Sequence, residues 1–184
     1  ETYAVKKEIN PHKNPILMVA FYGVDENDVV FRKVITWRKF NTKLNYLEVV
    51  SDEVELLKRV KEILIDYQPD IVTGYFSDGF DFPYIKTRAD KHGVVFDIGA
   101  DYSQLDIRKK AGFRSSEARI TGMLHLDMLQ FIRNIFGKNL KTDSYSLNAV
   151  SHELLDSKKH DVDINNLAHV WDHDHDKLED FCKY

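Results

Sequence analysis

Residues 74–88 read Gly-Tyr-Phe-Ser-Asp-Gly-Phe-Asp-Phe-Pro-Tyr-Ile-Lys-Thr-Arg, with two carboxylates, Asp78 and Asp81, set among aromatic side chains. A carboxylate in such a place has two uses. It can start a helix by accepting backbone N–H groups, or it can offer hard anionic oxygen to a divalent cation. Asp81 carries both readings. Pro83 falls in the first turn of the helix that would follow, where a missing N–H costs little. The preceding residues 71–75 read as a buried strand, and ligands in open α/β sheets gather outside the carboxyl ends of strands.

The elements that must position Asp81 follow from periodicity. Pro15 precedes the apolar run 16–24, the turn-like Asp25-Glu26-Asn27-Asp28 follows, and 29–37 completes a hairpin. Val54, Leu57, Val60, Ile63, Leu64 and Tyr67 recur at helical spacing, with Asp52 placed to cap the amino end. Gln68-Pro69-Asp70 ends that helix, and 71–75 returns as a strand, a βαβ-like crossover. The patterning predicts that 16–24, 29–37 and 71–75 share one sheet, with Asp81 just past the end of the last. Further helices are predicted at about 81–92, 128–136, 145–155 and 174–184, and 120–126 alternates like another strand. The polar, turn-rich segment 97–118 reads as a long surface loop or a weak hairpin. No internal repeat or low-complexity tract is present.

Bulk composition sets the limits. The 184 residues, 43% hydrophobic and 30% charged, suffice for one well-buried domain. A formal charge of −4 shows no global basic face, so any nucleic-acid contact would be local or made by other parts of a larger protein. The single cysteine, Cys182, excludes an internal disulfide and reads as a small helix-face residue in a reducing compartment. No signal-like leader and no membrane-length apolar run is seen, so the cytoplasm is the expected location.

Other conspicuous residues read as structural. His173 and His175 alternate near a helix start and diverge around its axis, which suits a solvated loop or cap better than a metal centre. Asp127, at a strand end, reads as a hydrogen-bonding anchor. Lys6, Lys7 and Lys13 form a modest basic patch of a solvated loop. Of Tyr75, Phe80, Phe82 and Tyr84, which could stack on splayed bases, most read as core, and only Phe80 is retained as a substrate neighbour.

Read together, the two ends and the middle of the chain resemble the 3′-5′ exonuclease domain of family B DNA polymerases, archaeal ones in particular. Glu1-Thr2 is similar to the end of that family's Asp-x-Glu motif, whose Asp would fall two positions before Glu1. Phe80-Asp81, followed by Phe82-Pro83-Tyr84, is similar to its second motif. Tyr184 is similar to the tyrosine of its Tyr-x-x-x-Asp motif, whose Asp would come four positions later. The segments PILMVAFYG, VITW, QPDIVTGY, GMLHLDM, SYSLNAVSHELL and KKHDVD extend the likeness over the whole chain. Two positions depart from the pattern. Phe76 stands where the family commonly has Asn, and Gly79 where it often has Asn, Ser or Gln, so a polar contact near substrate is absent or replaced.

The resemblance implies an RNase H-like α/β fold with a mixed central sheet flanked by helices. It implies one domain over residues 1–184, excised from a larger polymerase. The implied chemistry is proofreading, the hydrolysis of 3′-terminal nucleotides by two Mg²⁺ or Mn²⁺ ions about 4 Å apart. Glu1 and Asp81 would be metal ligands, Glu1 also near the attacking water. Tyr184 would position that water and the scissile phosphate, and Phe80 and Thr2 would contact substrate. Glu1, Asp81 and Tyr184 are thus expected to converge on one cleft. With two carboxylates outside the chain, the 184 residues alone are expected to be nearly inert. The implied partners are the 3′ end of single-stranded DNA and the polymerase domains of the same parent chain, with no membrane. A catalytically silent domain that holds single strands and braces the polymerase is the alternative, with Phe76 as its support. A free-standing nuclease of the same superfold is the third.

Overall fold

A computed structural model describes residues 1–4, 9–109, 116–142, 144–157 and 166–183. Lys6, Lys7, Tyr184 and the KKHDVD segment lie outside the described residues. The chain divides into two compact units, Glu1–Ile63 with Thr87–Val94 and Val162–Tyr184, and Leu64–Lys86 with Val95–Asp161.

The first unit is built on a three-stranded sheet. Strands β1 (Met18–Val24) and β2 (Val30–Thr36) pair antiparallel from Met18↔Thr36 to Val24↔Val30. The Asp25 side chain closes the turn between them by accepting the N–H groups of Asn27 and Val29 at 2.8 and 2.9 Å. A short strand β3 (Leu47–Val49), which the sequence pattern does not reveal, adds parallel to β2. Helix α1 (Glu53–Tyr67) follows as predicted, with Asp52 accepting from the Glu55 N–H at 2.9 Å. The core of this unit joins Leu17, Met18 and Val34 to Leu167, Val170, Trp171, Leu178, Phe181 and Cys182.

Helix α5 (Leu167–His173) and the short α6 (Leu178–Phe181), separated by a 3-10 turn at His175–Lys177, supply five of these residues, and Cys182 caps the carboxyl end of α6. The single predicted helix at 174–184 is therefore shorter, and α5 precedes it. His173 ends α5 and His175 opens the 3-10 turn, consistent with a cap-and-loop role. Glu53 is buried and fixes the segment entering β1. Its Oε1 accepts from the Ile16 N–H at 2.7 Å and from Arg88 Nε at 2.8 Å, while Oε2 meets Arg88 Nη2 and lies 3.0 Å from His92 Nε2. Burial disfavours the Glu53 charge, but the hydrogen bonds and charge of Arg88, the Ile16 N–H and the hydrogen bond with His92 together outweigh it and hold the carboxyl below its ordinary value.

The second unit carries strand β4 (Ile71–Gly74), which pairs parallel with β7 (Leu124–Asp127) from Ile71↔Leu124 to Gly74↔Asp127. The expectation that 71–75 shares a sheet with 16–24 and 29–37 is thus corrected: among the described residues the strands form three sheets, and β4 is not hydrogen-bonded to β1 or β2. Apolar content announces a buried strand but carries no partner. Here the register is set by Asp127, which meets the backbone just beyond Gly74. Helix α2 (Asp81–Lys91) leaves the end of β4. Strands β5 (Asp106–Lys109) and β6 (Ser116–Arg119) form the weak hairpin.

The strand predicted at 120–126 starts only at Leu124. Gly122, at φ +82°, makes a tight turn bridged by Ile120 and Met123. Helices α3 (Met128–Ile135) and α4 (Leu147–Leu155) match their predicted spans, capped by Asp127 and Ser146. Among the described residues no helix is long and apolar enough to cross a membrane.

Candidate functional site

At the carboxyl end of β4 the chain makes a tight loop, 75–80, before α2 begins at Asp81. Gly74 permits the loop to fold back, since a Cβ there would lie 2.6 Å from the Ser77 Cβ. Phe76 sits at φ +65°, a left-handed conformation that costs a bulky residue roughly 1–3 kcal/mol. Buried Asp127 holds it there. One carboxylate oxygen accepts the Phe76 N–H at 3.2 Å and the α3 N–H groups of Leu129 and Gln130 at 2.9 and 3.3 Å, and the other accepts the Asp78 N–H at 3.0 Å. The anchoring role expected for Asp127 is what the geometry displays, because one residue both caps α3 and clamps the loop.

Asp78 is the second anchor. It is 7% exposed, and its carboxylate accepts from the Ala118 N–H at 2.6 Å and from Gln130 Nε2 at 2.8 Å, with His125 Nδ1 at 3.3 Å. His125 Nε2 in turn lies 2.8 Å from Ser77 Oγ. Ser77, His125 and Asp78 therefore stand in the order of a nucleophilic triad. Ser77 is only 2% exposed and the His125 side chain 3%, so no substrate reaches the hydroxyl. The three are a clip that rigidifies the loop, with His125 also stacked edge-on against Phe82 at 4.7 Å. A cleft of about 310 Å³ beside them is lined by Asp78, Glu117, His125, Asp127, Gln130 and Phe131 among others. Both aspartates on its wall already accept several hydrogen bonds from the protein.

The consequence of this scaffolding is the presentation of Asp81. Phe82 and Tyr84 are buried, Phe80 is half-buried with its ring 5.3 Å from that of Tyr84, and Asp81 faces solvent as the first residue of α2. In that position a carboxylate complements the helix macrodipole, and its exposure to solvent is what a cation-binding reading requires. Tyr75 braces the other side of the loop, its hydroxyl donating to the Tyr145 carbonyl at 2.6 Å. Burial pushes that hydroxyl above its usual range, against the pull of Arg133.

The structure brings Phe80 and Asp81 together at one helix start. Glu1 and Thr2 are held together in the first unit, where the Glu1 carbonyl accepts the Leu17 N–H at 2.9 Å and Thr2 bridges Ile16. Tyr184 lies outside the described residues. Among the described residues no group of three or more His, Cys, Asp or Glu is placed to hold a metal ion, so those residues do not complete a divalent-cation site by themselves. Sequence reasoning missed Ser77, Asp78, His125 and Gln130 as the hub of the loop. Ser-Asp-Gly at 77–79 carries only a turn signal, and nothing local pairs it with His125 or Gln130.

The match to known proteins decides the family. The model of the DNA polymerase family B exonuclease domain matches residues 1–150. The chain belongs to that family. A DNA polymerase of Pyrococcus horikoshii is 33% identical over 172 residues, which are 94% of this chain and 13% of that protein. A DNA polymerase of Methanocaldococcus jannaschii is 34% identical over 171 residues, 93% of this chain and 10% of that protein. DNA polymerase 1 of Pyrococcus abyssi is 33% identical over 160 residues, 87% of this chain and 19% of that protein. The family B exonuclease domain described here thus spans less than a fifth of these relatives. Its fold is also that of part of a family B DNA polymerase from Pyrobaculum calidifontis, with a TM-score of 0.71 at 17% identity over 97% of this chain and 21% of that one.

Proposed function

We propose that this domain is the proofreading 3′-5′ exonuclease of a family B DNA polymerase, RNase H-like in fold and acting on the 3′ end of single-stranded DNA. The observation that carries the reading is Asp81. It is the solvent-facing carboxylate of the second exonuclease motif, presented by a loop that two buried aspartates hold rigid. Asp81 and Glu1 would be ligands of Mg²⁺ or Mn²⁺, together with carboxylates supplied from outside the described residues. Bound there, the ions would supply an activated water and stabilise the leaving oxygen. The residues of this chain would do the rest: Phe80 and Thr2 contact the strand, and Tyr184 orients water and phosphate. The other domains of the parent polymerase are the natural partners.

The test is release of 3′ nucleotides from an end-labelled single strand in Mg²⁺ and Mn²⁺, using the longer polymerase that contains this domain. Cleavage abolished by Asp81→Ala supports the reading, and cleavage indifferent to that change overturns it. A second reading has one specific observation in its favour: an aromatic ring, Phe76, stands beside the motif where the family commonly has Asn. In that reading the domain holds single strands without cutting them. Strand binding without cleavage in either metal would select it.

A further inference from the structure

Phe76 and Gly79, two separate departures in sequence, are one feature in space. A Cβ built on Gly79 would lie 2.2 Å from Phe76 Cε2 and 2.3 Å from Cζ, so the aromatic ring occupies the room that any other side chain at 79 would take. The seat buries the ring only in part, for Phe76 remains 48% exposed while Ser77 and Asp78, next in the chain, are buried. Its backbone is locked on both sides. The N–H donates to Asp127, and the carbonyl accepts from the Gly79 and Phe80 N–H groups at 3.1 and 2.9 Å. A strained, hydrogen-bond-locked backbone that leaves much of an apolar ring in water returns little to the fold, and strain of this kind gathers where ligands are bound.

We propose that Phe76, seated on Gly79, is a stacking platform for one nucleobase of single-stranded DNA, at the same end of β4 as Asp81 and Phe80. The inference rests on the proposed engagement of a DNA strand and names the residue that grips it. A single ring offers too little apolar area for a protein partner, but it matches the π-face of one base. Stacking replaces the polar contact that an Asn at 76 would make, and it tolerates every base. Gly79 is the positioning residue, acting only by leaving the ring its place.

The experiment is fluorescence anisotropy of a labelled oligothymidylate titrated with the protein in EDTA, which keeps metal and cleavage out. Phe76→Ala should weaken binding about 5- to 150-fold, and Phe76→Trp should retain it with extra quenching of indole emission as the strand binds. Gly79→Ala should weaken binding as well, and adding it to Phe76→Ala should cost nothing more. On strands carrying an abasic site at successive positions near the 3′ end, one position should make wild type and Phe76→Ala equal. Equal affinities of wild type and Phe76→Ala on intact strands overturn the platform while leaving the exonuclease reading intact. So does a loss that no abasic position removes, or a Phe76→Trp variant whose emission ignores the strand. A wild-type protein that binds no single strand overturns both.

Discussion

Asp127→Ala tests whether the loop beneath Asp81 is held as described. The substitution removes the acceptor of four N–H groups, those of Phe76, Asp78, Leu129 and Gln130. Loss of the α3 cap should cost about 1 kcal/mol. The Asp78 N–H, in a residue 7% exposed, would be left buried without its partner, at about 1–3 kcal/mol. Relaxation of Phe76 from its positive φ would return part of this, on the order of 1 kcal/mol. The net expectation is a loss of about 1–3 kcal/mol, or about 2–12 °C in Tm for a chain of this size. Asp127→Asn should fall between, because its amide oxygen can still cap α3 while its NH2 group faces the Asp78 N–H, donor to donor. Thermal unfolding by circular dichroism reads both. A Tm shift for the alanine variant under about 2 °C would refute the claim that one carboxylate organises loop and helix together.

Arg88→Ala should destabilise the first unit by about 3–5 kcal/mol by stranding the buried Glu53 carboxylate, measurable by urea denaturation. Folding lowers the Glu53 carboxyl below its ordinary 4.5, so its contribution is complete above that pH and is lost as the pH falls through the lower folded-state value. The stability gap between wild type and Glu53→Gln should accordingly close in acid; a gap that widens there would refute the assignment. Burial pushes the Cys182 thiol up to about 12, leaving about one thiolate in ten thousand at pH 8, so iodoacetamide should label it only in urea. Gly122→Ala should cost at least about 1–2 kcal/mol, since φ is +82° and the new methyl would lie 2.5 Å from the Ala100 Cβ; an unchanged Tm would refute the turn.

What sequence made legible was what repeats along the chain. The period of Val54 through Tyr67 and the cap at Asp52 announce α1, and Phe80-Asp81 before Pro83 announces the start of α2. Pairing was not legible, because β4 takes its partner from contacts about fifty residues away that no local pattern encodes. Elements of three or four residues, β3 and α6, are too short to show a period, and α5 hid behind the charged Trp171-Asp172-His173 end despite apolar residues at 167, 168, 170 and 171. The site was half legible. Asp81 was found as a motif, whereas Asp78, His125 and Gln130 work through a network that exists only once β7 lies beside β4.

The seating of Phe76 on Gly79 also constrains ancestry. The ring of Phe76 as seated here overlaps the Cβ of any side chain at 79, so an ancestor with the family's common polar residues at both positions could have taken up the phenylalanine only with its ring placed elsewhere. This seat opens only once glycine stands at 79, and a side chain returning there would displace the ring. Across the family the two positions should therefore be correlated in one direction only: aromatic residues at 76 occur with glycine at 79, while glycine at 79 tolerates either.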